Sequence, residues 1–233
     1  MAITIFTDGS SRGNPGPGGW GAIIRTDDEV TELGGGEGNT TNNRMELSAA
    51  INALVFVSEN GLQGPIVVQS DSKYVIQGIT EWVSGWQRNG WKTAGKKDVG
   101  NRDLWETLAF AAKDLSIQWK YVQGHAGHPG NERCDEIATS CADQSDPHLF
   151  QGARKLYTID LDAAPPAGAA AVRAKKRSSS AAAYSYLSLV DGVLEKHRTW
   201  AECESRVKGV KGARFKKSVS AADEAEIIKE WGR

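Results

Sequence analysis

Cysteine is sparse and its count is odd. Cys134, Cys141 and Cys203 are the only three in 233 residues, and they form no CxxC pair. A disulfide scaffold is therefore not expected, and the usage fits a reducing, cytoplasmic setting. Long apolar runs are missing as well: no stretch of about 18 apolar residues occurs, so no membrane-spanning helix and no membrane partner are expected. The first residues, MAITIFTDGSSRG, lack a basic region, an apolar core and a cleavage site, and no secretory signal is expected there. Net charge is nearly absent too, at −1. With 39% hydrophobic and 24% charged residues, what is present reads as an ordinary globular chain rather than a fibrous or disordered one.

The near-neutral total conceals a split. Residues 1–150 carry 12 basic and 19 acidic side chains, residues 151–183 carry 6 and 2, and residues 184–233 carry 10 and 8. An acidic front and a basic rear suggest an anionic partner gripped by the rear.

Three blocks follow from composition and period. Residues 1–145 alternate strand and helix patterns. Strands are expected at 3–7, 18–26, 29–37, 66–70 and 117–122, and helices at 41–57, from 72 to 79, at 104–114 and at 131–143. In the first helix Met45, Ala49, Asn52 and Val55 fall at helical spacing. Residues 146–183 read as a linker: 11 alanines lie within 151–183, beside a Pro-Pro pair, a KKR cluster and a Ser triplet. Residues 184–233 regain pattern, with strands at 186–190 and 213–217 and helices at 200–207 and 222–231. That small α/β unit is near the size where folding alone becomes marginal. No internal repeat is found.

Four carboxylates are placed for chemistry. Asp8 ends the first strand, Glu46 lies in the first long helix, Asp71 ends the strand at 66–70, and Asp135 lies in the last helix of the first block. Strand ends and helices can converge at one edge of a mixed sheet, where these charges repel unless divalent cations neutralise them. The plainer alternatives are turn-forming aspartates and a solvated helical glutamate. The glycine-rich stretch 13–21 is too elaborate for a simple hairpin turn and could allow close backbone approach by a ligand.

Thr7-Asp8-Gly9-Ser10, Thr40-Thr41-Asn42-Asn43-Arg44-Met45-Glu46-Leu47, Ser70-Asp71-Ser72 and the run from Gly124 to Asp135, which contains His125, resemble the type 1 ribonuclease H family, in order and across residues 1–145. The resemblance implies an α/β fold, a five-stranded mixed sheet flanked by helices. It also implies endonucleolytic hydrolysis of the RNA strand of RNA–DNA hybrids, giving 5′-phosphate products. Two Mg²⁺ ions, or Mn²⁺, would be held by Asp8, Glu46, Asp71 and Asp135, with no small-molecule cofactor and the chain acting as a monomer. His125 matches the histidine that assists the reaction or product release; a surface-loop histidine is the plainer alternative. Asn14, Asn42 and Asn43 match positions that face the minor groove, where the 2′-hydroxyl separates RNA from DNA. Thr41 and Asn101 match a pocket for a DNA-strand phosphate, while Thr41 or Asn42 can cap the helix at the same time.

Trp82, Trp86 and Trp91 lie among Arg88, Lys92, Lys96 and Lys97, a mixture suited to sugar packing and phosphate pairing. The family's basic protrusion is thinner here, since Gln87 and Asn89 flank a single Arg88, and core packing of these tryptophans is the alternative. In the tail, Trp200 to Cys203, Val207 and Gly212 to Lys217 are similar to the small hybrid-binding domain of eukaryotic ribonucleases H and viroplasmin-type proteins, which usually precedes the catalytic domain. By that resemblance Trp200 and Phe215 pack on DNA sugars, and Lys216 and Lys217 meet phosphates; the alternative is that both aromatics form the core of a tiny domain. Two rivals remain: a non-catalytic nucleic-acid-binding protein on the same scaffold, against which the complete carboxylate set argues, and an integrase- or resolvase-type enzyme, against which the Asn42-Asn43 pair and the His125 loop argue.

Overall fold

Strand β1 (Ile3–Ser11) is buried on both faces over most of its length, as expected for a strand covered by helices on either side. In the computed structural model, which describes residues 2–124, 126–164, 183–210 and 212–231, β1 lies inside a mixed sheet. It pairs antiparallel with β2 (Gly16–Arg25), which pairs with β3 (Glu29–Thr40). On its other side β1 pairs parallel with β4 (Ile66–Ser70), and β4 with β5 (Ile117–Tyr121). A further strand, β6 (Gln151–Ala153), pairs with the start of β3, so the sheet has six strands in the order β5-β4-β1-β2-β3-β6 rather than the expected five.

Helix α1 (Asn42–Glu59) begins at Thr41, whose hydroxyl accepts the Arg44 N–H, and it buries Leu47, Ala50, Leu54 and Val57 against Ile3, Ile5, Ile24 and Ile66. Each Leu, Val or Ile among these withdrawn from water contributes roughly 1.5–3 kcal/mol. Helix α2 (Lys73–Gln77) starts at the Ser72 cap and runs through a π-helical turn (Gly78–Trp82) into α3 (Val83–Arg88). Helix α4 (Arg102–Ala112) brings Trp105 and Leu108 into the same core. Helix α5 (Pro129–Ala142) covers the other face, where Cys134 packs with Phe6, Ile23 and Val30.

The expected linker starts later than its composition suggests. Residues 150–162 lie on the sheet: β6 adds to β3, a 3₁₀ turn (Arg154–Leu156) follows, and Phe150, Tyr157 and Leu161 pack on the second apolar cluster. Alanine content hid this because a few aromatic anchors suffice to fix a short segment. The KKR cluster and the Ser triplet lie outside the described residues.

The chain divides into two compact units, Met1–Ala169 and Ala170–Arg233. In the second, β7 (Ser185–Val190) is the middle strand, flanked antiparallel by β8 (Val193–His197) and β9 (Arg214–Ser218). Helix α6 (Trp200–Val207) opens with a capping box between Thr199 and Glu202, and α7 (Ala221–Trp231) closes a small core of Leu187, Ile227 and Trp231. Strand β8 was not expected from the sequence. No helix among the described residues is long and apolar enough to cross a membrane.

Candidate active site

Register brings the first carboxylates together. Thr7 pairs with Ser70 in the parallel β1–β4 ladder, so Asp8 and Asp71 lie side by side: Asp71 follows the end of β4, whereas Asp8 does not end its strand as expected but sits within β1, which runs on to Ser11 because it stays paired with β2. Ser70 and Ser72 fix the turn after β4: the Ser72 N–H donates to Ser70 Oγ at 3.1 Å, and Ser72 Oγ accepts the Val75 N–H at 3.3 Å. Glu46, in the first turns of α1, is brought in by Gly9, where a Cβ would lie 2.2 Å from the Glu46 backbone nitrogen. The result is a cluster in which Asp8, Glu46 and Asp71 each offer an oxygen within 4.8 Å of the others.

This cluster is electrostatically loaded. Burial, followed by the charges of Asp71 and Asp135, pushes the Asp8 carboxyl up to about 8 against the opposing Gly9 N–H at 2.7 Å. Burial, then Asp8 and Asp71, raise Glu46 well above the usual carboxylate range, although Gly9 and Asn42 donate towards it. Glu46 Oε2 is buried with no hydrogen-bond partner among the described residues. A buried carboxylate oxygen without a donor, set among carboxylates that repel one another, suits a hard divalent cation. Asp135 stands outside the 4.8 Å group but close enough for its charge to act on Asp8.

Asn131, not singled out from the sequence, donates Nδ2 to Asp8 Oδ2 at 3.5 Å and is buried. Its signal was available: it precedes Asp135 by one helical turn and shares its face. His125 lies outside the described residues. Gly124 before it is buried, and a Cβ there would lie 1.7 Å from Asp71 Oδ2, so Gly124 itself lies directly against that carboxylate.

The candidate nucleic-acid contacts divide. Asn14, Asn42 and Asn43 are exposed, and the Asn42 N–H donates to Asn14 Oδ1 at 3.4 Å, while Asn42 Nδ2 donates to Glu46 Oε1 at 3.4 Å. Thr41 caps α1, as its alternative role required. Asn101 sits left-handed, at φ 57°, before α4, and its Nδ2 donates to the Tyr74 hydroxyl at 3.2 Å. Trp82 and Trp86 form an edge-packed series with Tyr74, Trp91 and Trp105, with Trp91 and Trp105 buried, so the packing alternative accounts for much of that segment. At Gly18, Gly19 and Gly21 the closely approaching partner is the protein itself: a Cβ on Gly18 would meet Thr40 and Met45, one on Gly19 the Ala138 carbonyl and one on Gly21 the Cys134 carbonyl.

In the C-terminal unit Trp200 and Phe215 are 39% and 54% exposed, and their rings lie 5.2 Å apart. Tyr186 joins them, 5.7 Å from Trp200. The β7–β9 register pairs Tyr186 with Lys217 and Ser188 with Phe215, which puts Lys217 on the aromatic face. Lys216 pairs with Leu187 and so belongs to the opposite face, with the small core. The two lysines expected to act together are separated by the strand's pleat.

A family model described as RNase H matches residues 1–143, and one described as Ribonuclease H1 N-terminal domain matches residues 197–226. The chain is 50% identical over 140 residues to the Ribonuclease H of Geotalea uraniireducens, covering 59% of this chain and 92% of that protein. It is 57% identical over 136 residues to the Ribonuclease H of Bradyrhizobium sp. strain ORS 278, covering 58% and 86%. Among solved structures it is similar to LC9-RNase H1, described as a type 1 RNase H with the type 2 active-site motif, at 30% identity and a TM-score of 0.58, covering 65% of this chain and 77% of that one.

Proposed function

The chain belongs to the ribonuclease H family, and from that premise we propose that it hydrolyses the RNA strand of RNA–DNA hybrids with two divalent cations and tethers the hybrid through its C-terminal unit. A nuclease acting on such hybrids is what the family membership supports. The observation that carries the finer reading is the Asp8–Glu46–Asp71 cluster, with its raised carboxyls and the unpartnered Glu46 Oε2.

Asp8, Glu46, Asp71 and Asp135 are the residues that would hold Mg²⁺ or Mn²⁺. Cations bound there would activate a water for in-line attack and stabilise the departing 3′-oxygen. Asp8 presents its oxygens from within β1 and Asp71 from the end of β4, so the donors are positioned before substrate arrives. Asn131 and the Gly9 N–H orient the Asp8 carboxylate. His125, with a titration range near neutrality, is assigned proton exchange at the reacting oxygens. Exposed Asn14, Asn42 and Asn43 offer donors and acceptors to a 2′-hydroxyl. Thr41 and Asn101, the latter held by Tyr74, take a DNA-strand phosphate, and the half-buried Trp82 and Trp86 pack on the neighbouring sugar.

In the tail, Trp200 and Phe215 form a platform for sugars, with Lys217 beside it for phosphate and Lys216 reaching from the far face of an edge strand. Three free thiols suit a reducing cytoplasm, where the chain would act as a monomer without small-molecule cofactor.

Labelled RNA–DNA, RNA–RNA and DNA–DNA duplexes incubated with Mg²⁺ test the reading. Cleavage of the RNA in the hybrid alone is expected. Cleavage of DNA–DNA duplex would move the chain to an integrase-like activity, and hybrid binding without cleavage would make it a non-catalytic binder.

A further inference from the structure

Outside the carboxylate cluster lies a buried ionic knot that no catalytic step uses. Glu32, on β3, has a side chain 1% exposed. Arg133, on α5, grips it with both arms, Nε to Oε1 and Nη2 to Oε2, each at 2.9 Å. The Phe150 N–H and the Tyr157 hydroxyl also donate to Glu32, at 3.0 and 2.6 Å. Arg133 Nη2 reaches on to the carbonyls of Pro147 and His148, at 3.0 and 3.3 Å. A charge withdrawn from water is tolerated when paired and fully hydrogen-bonded, as here. Pro147 to Tyr157 lie beyond the residues that the family model matches, which end at 143.

The knot joins β3 to the helix that carries Asp135, two residues from Arg133. That helix has other ties as well: Asn131 donates to Asp8, and Cys134 and Ile137 are fully buried. It rests on glycines of β2 and β3: a Cβ at Gly19 would lie 2.3 Å from the Ala138 carbonyl, and one at Gly21 2.4 Å from that of Cys134. The side chains of Ile137 and Cys141 fill the space left over Gly19, Gly21 and Gly34. The far end is tied by Arg12, which reaches Asp143 with both arms in a solvent-exposed pair. A slip of one residue along the axis moves a side chain by about 1.5 Å.

We propose that the Glu32–Arg133 pair, clamped by the 147–157 segment, pins the stretch of α5 around Asp135 to β3 and so, together with the Asn131–Asp8 bond, sets the distance of Asp135 from Asp8. Glu32 and Tyr157 are then positioning residues for cation binding. This rests on the reading of Asp135 as a metal ligand.

The test is Mn²⁺ binding to the full chain, followed by electron paramagnetic resonance, beside thermal unfolding. Glu32→Gln is expected to weaken Mn²⁺ binding by at most about 10-fold, the lower end of what loss of a direct hydrogen-bond partner of a metal ligand costs, since Glu32 acts through Arg133. Tyr157→Phe, which keeps the ring, should shift it in the same direction by less, and it carries the test if Glu32→Gln does not fold. The Mg²⁺ concentration for half-maximal cleavage should rise in parallel, with hybrid KM unchanged. Lower unfolding temperatures with unaltered Mn²⁺ binding in both variants would overturn the pin and leave a structural strap. Asp135→Asn separates the two levels: if it leaves Mn²⁺ binding unaltered, the ligand reading fails; if it weakens binding while Glu32→Gln and Tyr157→Phe do not, only the pin fails.

Discussion

Gly9 and Glu46 touch through their backbones, since a Cβ on Gly9 would lie 2.2 Å from the Glu46 nitrogen. This contact, not a ligand, explains why glycine follows Asp8. It lets α1 descend onto β1 until the Glu46 carboxylate meets that of Asp8. Gly9→Ala should therefore push α1 outward. Forcing an extra methyl into a packed site costs about 1–3 kcal/mol. The expected outcome is a lower urea midpoint together with weaker Mn²⁺ binding; an unaltered midpoint would mean that α1 yields without strain.

Asp71 tests the division between chemistry and grip. Asp71→Asn keeps the size of the side chain and removes a charge from the cluster, while the asparagines, Thr41 and the tail are untouched. Turnover should be lost with hybrid affinity retained, as read by cleavage and gel shift on the same duplex. Equal loss of both would place Asp71 in substrate binding.

The knot at Glu32 makes a prediction about acid. Burial works against its charge, but hydrogen bonds from Arg133, Tyr157 and the Phe150 N–H outweigh it, leaving the carboxyl below its ordinary 4.5. A group held lower in the folded chain than in the unfolded one contributes stability above its unfolded value and loses it as pH falls through the folded value. Wild type should thus exceed Glu32→Gln in urea midpoint at neutral pH, and the gap should close below about pH 4.5. A gap independent of pH would show that packing, rather than the charge, matters at this position.

How much of this was legible in the sequence depended on whether the cause was local. Helix α1, its Thr41 cap and the four carboxylates follow from short-range period and from motif order. Strand β6 did not show, because Gln151-Gly152-Ala153 has no apolar alternation and owes its pairing to β3, far away in the chain. Strand β8, Val193–His197, lies at an edge and is largely exposed, so no buried face marks it. The tryptophans were ambiguous because cation neighbours and core neighbours look alike until Trp105, from another helix, packs against Trp86. The glycines of β2 suggested a ligand because a sequence does not reveal which backbone comes close. Lys216 and Lys217, by contrast, could have been separated at once by the period of a strand.

That separation supplies the sharpest test of the tail. On β9, Lys217 shares a face with Phe215 and Tyr186, and Lys216 shares one with Leu187. If the aromatic face is the one that meets a hybrid, the two lysines contribute unequally although they adjoin. Lys217→Ala should lower affinity for long hybrids and flatten its salt dependence, since each phosphate that a cation no longer neutralises takes roughly 0.7–0.9 off the log–log slope. Lys216→Ala should change that slope less. Trp200→Ala should weaken binding with little change in slope, because stacking on a sugar or base releases no counterions; base–aromatic stacking contributes about 1–3 kcal/mol. Turnover on saturating short hybrids should be unaltered in all three, as the carboxylates lie in the other unit. Binding measured from low to high salt decides the matter. Equal slopes for the two lysine variants would mean that the hybrid follows the edge of β9 rather than its aromatic face, and unaltered binding in every variant would remove hybrid recognition from the C-terminal unit.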